Sequence, residues 1–162
     1  MAVDMFLELK GIDGESQDDT FSKKNAIDVL AWSWGMSQSG TTHMGSGGGS
    51  GKVSVQDLSV TKYVDKASPN LLLFCSNGEH IPEAKLTVRK AGKTPLEYIV
   101  ITMTEVIISS VSTGGSGGQD RLTENISLNF EKVKLTYTPQ KSTGAGDTAI
   151  DYKWDIAKNI SA

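Results

Sequence analysis

Residues 108–130 read ISSVSTGGSGGQDRLTENISLNF, two strand-like segments joined by a loop in which glycine recurs. After the loop, Leu122, Ile126, Leu128 and Phe130 fall on even numbers, which is the period of a β-strand with one buried face. Glycine adopts backbone conformations that other residues avoid, so residues 114–118 suit a permissive connection between two long strands. The stretch therefore predicts a hairpin of long strands.

Period-two alternation recurs along the rest of the chain, at residues 5–10, 27–36, 52–63, 84–89, 96–111 and 150–156. The apolar positions slip by one residue at Gln56-Asp57 and again at Glu131-Lys132. Such slips predict β-bulges or bends, which a closed sheet requires. The residues thus predict a mainly β fold, an antiparallel barrel or sandwich, as a single domain over residues 1–162.

One short α-helix is predicted over residues 68–78. Ser68 can cap the helix, Pro69 suits the first turn, a run of apolar residues follows, and Asn77-Gly78 ends it. We expect this helix to cover an open end or side of the barrel.

The strand over residues 27–36 has two different faces. Bulky residues share one face, which predicts a core: Leu30, Trp32, Trp34 and Met36. Small residues share the other: Val29, Ala31, Ser33 and Gly35. The small face is either covered by loops and solvent or is a wall that faces a pore or partner, and the residues alone leave both interpretations open.

Composition excludes several classes of protein. The net charge of −3 and the pI near 5.4 do not indicate nucleic-acid binding, which calls for a basic stripe. The sequence contains no apolar segment approaching the ~20 residues of a membrane helix. The N-terminus MAVDMFLELK lacks the pattern of a secretory signal. A single cysteine, Cys75, excludes an intramolecular disulfide and suits folding in a reducing cytoplasm.

Ser116 matches the Gly-x-Ser-x-Gly pattern of a hydrolase nucleophile. That nucleophile sits between a strand and a helix, whereas a strand is predicted after Ser116. Only His43 and His80 could supply a base, and neither lies in a convincing context. We therefore predict that the protein is not an enzyme.

The glycine run at residues 45–51 does not match a phosphate-binding loop. The first glycine of that motif would fall on Ser46, and Lys52 is followed by Val53 instead of Ser or Thr. Two isolated histidines and one cysteine do not form a metal site, and Asp18-Asp19 is expected to be a solvated loop pair. No metal and no cofactor are predicted.

Several blocks, in order along the chain, resemble the haemolysin-coregulated protein (Hcp) family, the tube proteins of the bacterial type VI secretion system. They are WSWGMSQSG at 32–40, KVSVQDLSVTKYVDKASPNL at 52–71, KLTVRKAG at 85–92 and SSVSTGGSGGQDRLTEN at 109–125. The resemblance extends from Met1 to the final strand.

The resemblance implies a fold and an assembly. The fold is an antiparallel β-barrel of two packed sheets with one short α-helix on the side. The assembly is a homo-hexameric ring with a central channel, and rings stack into a tube. A contractile sheath propels this tube, with a spike protein at its tip, into a target cell, so the protein is made in the bacterial cytoplasm and secreted without a cleaved signal peptide.

The resemblance also implies that the ring lumen binds and protects effector proteins. The channel-wall candidates are then Val29, Ala31 and Ser33. The candidates for ring stacking or interfaces are Gly47, Gly48 and Gly49 in the arm at 40–51, and Gly92 and Lys93 in the tip at 91–95. No nucleic acid and no stable membrane insertion are expected. The alternative from the residues is a small ligand-binding β-barrel for sugar or lipid, using Trp32, Trp34 or the barrel mouth.

Overall fold

A computed structural model describes residues 2–40, 43 and 51–162 of the chain. The strands are β1 Val3–Leu9, β2 Ile27–Ser33, β3 Met36–Ser37, β4 Ser54–Val55, β5 Leu58–Tyr63, β6 Ile81–Lys90, β7 Leu96–Thr113, β8 Thr123–Tyr137 and β9 Ile150–Asp155. Helix α1 spans Ser68–Asn77, and a 3-10 turn spans Ser22–Lys24.

Seven strands form one antiparallel sheet in the order β5-β2-β1-β6-β7-β8-β9. Strand β5 also pairs with β8, so the sheet closes on itself and its halves pack across one core. Side chains from six strands and α1 fill that core, and Leu7, Leu86, Ile101 and Leu128 are fully buried. The predicted antiparallel β-barrel with one helix is confirmed.

Strand β8 serves two parts of the barrel. Its residues 123–128 pair with β5 and its residues 132–137 pair with β9. Between these segments the buried positions change from even numbers, such as Leu128 and Phe130, to the odd Val133. Strand β7 turns at the same level, where Glu105 has a φ of 54°. The bend predicted at Glu131-Lys132 is confirmed, because both strands change their buried face there.

The slip at Gln56-Asp57 has a different cause from the bulge that was predicted. Strand β4 ends at Val55 and β5 begins at Leu58, so these two residues separate two short strands. Strand β4 pairs with β3 in a separate two-stranded sheet, whereas β5 joins the barrel. The change of parity thus marks a change of sheet.

Helix α1 has the predicted bounds but not the predicted N-terminal cap. Ala67 occupies the N-cap position without a side-chain hydrogen bond, and Gly78 ends the helix in the left-handed conformation with a φ of 68°. Ser68 does not cap the helix, because its hydroxyl donates to Glu124 Oε1 at 2.6 Å in the barrel interior. Leu71 is fully buried beneath the helix, which packs on β7.

The loop before β2 is fixed to the outside of the barrel. Phe21 stacks on Phe6 of β1 with ring centroids 4.1 Å apart. The Arg89 guanidinium donates to Asp18 Oδ2 at 2.6 Å and to Asp4 Oδ2 at 3.0 Å. Asp18 also accepts the backbone N–H groups of Thr20 and Phe21. The expected solvated pair is therefore wrong for Asp18, which is an anchor of the loop.

Acid is expected to weaken this anchor. The hydrogen bond from Arg89 lowers the pKa of Asp18 from 3.8 to about 2. A depressed carboxyl pKa contributes stability above the unfolded value, and that contribution disappears as pH falls from about 4 to about 2. We expect Asp18→Asn to cost about 2 kcal/mol more at pH 5 than at pH 2, measured by urea unfolding. Asp19→Asn, at a side chain that is 99% exposed, is the control, and an Asp18→Asn cost that does not vary with pH would contradict the assignment.

Candidate functional site

A continuous row of serines crosses four strands on the outer surface of the barrel. The register pairs Ser33 with Ser59, Ser59 with Ser127, and Ser127 with Ser110, which places one serine each from β2, β5, β8 and β7 side by side. Their neighbours Leu58, Val60 and Leu128 point into the core, so the serines point outward.

A second row runs parallel to the first. It contains Ala31, Thr61, Asn125 and Ser112, again from β2, β5, β8 and β7. The Thr61 hydroxyl donates to Asn125 Oδ1 at 2.7 Å, which ties the two strands together. The eight residues of both rows are exposed or half-buried, and none is charged or large. We call these two rows the polar face.

The three channel-wall candidates separate in the structure. Ala31 and Ser33 lie on the polar face, but Val29 is 6% exposed and belongs to the core. The cause is a β-bulge, because Val29 pairs with Lys62 and Ala31 with Thr61, which leaves Leu30 as the extra residue. The inclusion of Val29 in the exposed face was wrong.

The bulge also changes the bulky side of this segment. Trp32 and Trp34 are half-buried and pack against the core, as predicted. Leu30 and Met36 are exposed at 39% and 41%, so their assignment to the core was wrong. Leu30 is the bulged residue, and Met36 lies in the separate strand β3.

An acidic residue adjoins the serine row. Asp57 immediately precedes β5, two positions before Ser59 and therefore on the same side of the strand. Ser109 Oγ donates to Asp57 Oδ2 at 2.6 Å, and Asn129 Nδ2 donates to Oδ1 at 2.9 Å. Asp57 was not predicted as a site residue, although it shares its odd-numbered parity with Ser59 and Thr61 and could have been placed on their side of the strand from that alternation.

The interface candidates Gly92 and Lys93 lie in the exposed turn between β6 and β7. Together with the loop over residues 140–146 this turn lines a cleft of about 400 Å³. Lys90 also lines the cleft, and its Nζ lies 3.3 Å from Gln140 Oε1 and 4.8 Å from the ring centre of Tyr98. Gly47, Gly48 and Gly49 lie outside the described residues.

Ser116 is exposed in the turn between β7 and β8, and the residue after the turn begins a strand. The strand–helix context of a hydrolase nucleophile is therefore missing at this serine. Gly115 in this turn lies against the exposed Leu122 side chain, which is flexible and could move to admit a Cβ. His80 lies in a different environment, with Nδ1 3.5 Å from Glu105 Oε2.

Beneath the polar face lies a buried ionic cluster that the sequence analysis missed. Lys62 of β5 is fully buried and forms ion pairs with Glu124 of β8 and, at 2.9 Å, with Asp65. Glu124 is also fully buried and accepts the Ser68 hydroxyl, which joins α1 to the β5–β8 seam. The alternation of the sequence could have predicted that both side chains point inward. Lys62 shares its parity with the core residues Leu58 and Val60, and Glu124 shares its parity with Ile126 and Leu128.

Residues 2–40, 43 and 51–162 contain no group of three or more His, Cys, Asp or Glu side chains placed to hold a metal ion. Within the same ranges, no helix has the length and apolar character needed to cross a bilayer.

Comparison with known proteins places the chain in a family. A family model described as type VI secretion system effector, Hcp, matches residues 6–137. Protein hcp1 of Pseudomonas aeruginosa is 60% identical over 164 residues, and the match covers 100% of both chains. Hcp1 from Salmonella typhimurium is 43% identical with a TM-score of 0.80, again over 100% of both chains.

Other solved structures agree. A type VI secretion system effector from Yersinia pestis is 39% identical with a TM-score of 0.76, covering 94% of this chain and 99% of its own. A structure described as a type six secretion system protein has a TM-score of 0.91 at 31% identity, covering 98% of this chain and 99% of its own. The chain belongs to the Hcp family of type VI secretion system proteins.

Proposed function

We propose that the protein is the structural subunit of a type VI secretion tube, that it forms hexameric rings, and that the polar face lines the ring channel. The polar face is the observation that carries the proposal. It is a broad, outward, uncharged sheet surface on a barrel whose interior is already filled, so its exposed area is available to an assembly or its cargo.

The proposed role as a tube subunit also implies the partners of the protein. Copies of the chain meet through heterologous contacts, which close into a ring, and rings stack through a different pair of surfaces. Permanent assemblies of this kind usually bury more than ~2,000 Å² per interface. Gly92, Lys93 and the arm containing Gly47, Gly48 and Gly49 are the proposed stacking contacts. Sheath, spike and effector proteins are the other partners, and the protein passes from the bacterial cytoplasm to the outside.

A non-enzymatic role fits the described site. Ser116 has neither the backbone context of a hydrolase nucleophile nor a described histidine among its hydrogen-bond partners. A ligand-binding barrel is not favoured either, since Leu7, Leu86 and Leu128 fill the interior and Trp34 Nε1 donates to the Gln56 carbonyl at 2.9 Å. A barrel with a filled interior and no catalytic arrangement around Ser116 is what we expect of a structural subunit.

Electron microscopy of the purified protein tests the proposal. Negative-stain images should show rings of six copies with an open centre. Particles the size of one 17.3 kDa chain at every concentration would contradict it.

Ser33→Gln is expected to separate cargo binding from assembly. Ser33 is exposed and pairs with Ser59 of β5 on the outward side of the sheet, so a longer polar side chain there projects into the proposed channel without entering the core. We expect intact rings and at least about a ten-fold loss in effector co-purification. A loss of this size corresponds to disrupting one strongly contributing residue of a protein interface.

Ser76→Gln, on an exposed serine of α1, is the matched control and should leave co-purification unchanged. Loss of folding in Ser33→Gln would show that the position is packed, and unchanged co-purification would show that it does not face cargo.

A further inference from the structure

Asp57 is an acidic residue at the Ser59 end of the polar face. It immediately precedes β5, two residues before Ser59, and its Oδ1 accepts a hydrogen bond from Asn129 of β8. The eight residues of the polar face carry no charge. At the opposite end, beyond Thr61, the Arg121 guanidinium lies 3.7 Å from the ring centre of Tyr63. Asp57 therefore supplies negative charge at the Ser59 end of this surface.

The carboxylate of Asp57 is held in one orientation. Ser109 fixes one oxygen and Asn129 fixes the other, so three strands converge on this side chain. A carboxylate has about four acceptor sites, and these two donors use two of them. The remaining lone pairs are available to an outside donor, and a side chain that is already ordered loses little entropy on binding.

A cationic partner fits this arrangement best. Lysine and arginine donate charge-assisted hydrogen bonds to a carboxylate, whereas a partner carboxylate placed here would be repelled. In a closed ring the Asp57 carboxylate is repeated once per subunit, and a cleft lined by one sign of charge strengthens the local field.

We propose that Asp57 is a specificity-determining residue of the polar face, and that it selects protein partners that present lysine or arginine to this surface. This inference rests on the proposed function for the identity of the partner as cargo. The attraction itself is a property of each subunit and is present with or without a ring.

The probe is a pair of fluorescein-labelled glycine–serine peptides that are identical except that one carries several lysines and the other carries glutamates at the same positions. Fluorescence anisotropy at low salt is expected to show at least about five-fold tighter binding of the lysine peptide, the size of one charge contact near a protein surface. Asp57→Asn should reduce this preference by at least about three-fold, leaving the general attraction of a chain with net charge −3 for the lysine peptide. The substitution keeps the shape, and the Ser109 hydroxyl can accept where it formerly donated.

Asp19→Asn is the matched control, because it removes the same charge from an exposed loop position and should preserve the preference. Ser59→Lys is a second variant that removes neither donor of Asp57, and it should also weaken the preference, because its ammonium competes with the peptide for the carboxylate.

A preference of unchanged size in both Asp57→Asn and Ser59→Lys would overturn the inference, as would wild-type protein that binds both peptides equally. Particle mass measured on the same samples reports on the ring separately. A monomer with an Asp57-dependent preference would refute the ring and leave the charge selection standing.

Discussion

Replacing Lys62 with methionine is expected to lower the free energy of unfolding by about 3–5 kcal/mol, the usual cost of leaving a buried charge without its partner. The Glu124 carboxylate is fully buried, and without Lys62 it retains only the hydrogen bond from Ser68. Its second oxygen has no hydrogen-bond partner among the described residues. Urea unfolding followed by circular dichroism measures the loss.

The double variant Lys62→Met with Glu124→Leu should recover part of that loss, because it removes the two fully buried charges together. Asp65, whose side chain is 7% exposed, loses Lys62 as well but keeps the hydrogen bond from the Ala67 N–H. Lys134→Met is the control. Lys134 and Asp151 form a pair at 3.7 Å with side chains 46% and 39% exposed, and such a pair contributes within about 0.5 kcal/mol. A Lys62→Met cost no larger than that of Lys134→Met would refute the buried cluster.

The cluster bears on the proposed channel because it lies directly under the polar face. Lys62 follows Thr61 along β5 and Glu124 precedes Asn125 along β8, so each ionic residue adjoins a residue of the outward row. The same two strands close the barrel. Weakening the Lys62–Glu124 pair should therefore weaken the pairing of β5 with β8 beneath the polar face, as well as lower the free energy of unfolding.

Gly14→Ala is expected to destabilise the protein by about 1–3 kcal/mol, the range for forcing extra volume into a packed site. A Cβ at Gly14 would lie 2.3 Å from the Ala26 carbonyl oxygen and 2.6 Å from its carbonyl carbon, and these backbone atoms cannot rotate away. The N–H of Gly14 also donates to the Asn25 carbonyl at 2.8 Å, which holds the two segments together.

Gly118→Ala supplies the comparison, since a Cβ at Gly118 meets nothing within 4 Å. Thermal unfolding should show a clear decrease for Gly14→Ala and a change within about 0.5 kcal/mol for Gly118→Ala. Equal effects of the two substitutions would contradict the close approach between residues 14 and 26.

The strands were predictable because a sheet with one buried face imposes period two on its sequence. The hairpin around residues 114–122 and the bend at Glu131-Lys132 both followed from that period. The helix bounds followed from Pro69 and Gly78, whose preferences at helix ends are strong.

The bulge at Leu30 was not predictable, because one extra residue is defined only by the register of a partner strand, here β5. Simple alternation therefore placed Val29 beside Ala31 and Ser33. The full width of the polar face could not be predicted either, because it also depends on strand register. Its serines come from four strands and become neighbours only when the sheet closes: Ser33, Ser59, Ser110 and Ser127.

The central claim is that this barrel is one sixth of a ring, and the mass of the assembled particle tests it most directly. Native mass spectrometry of the purified wild-type protein should give six times the 17.3 kDa mass of one chain as the principal species. A principal species with the mass of one chain at every protein concentration would contradict the account.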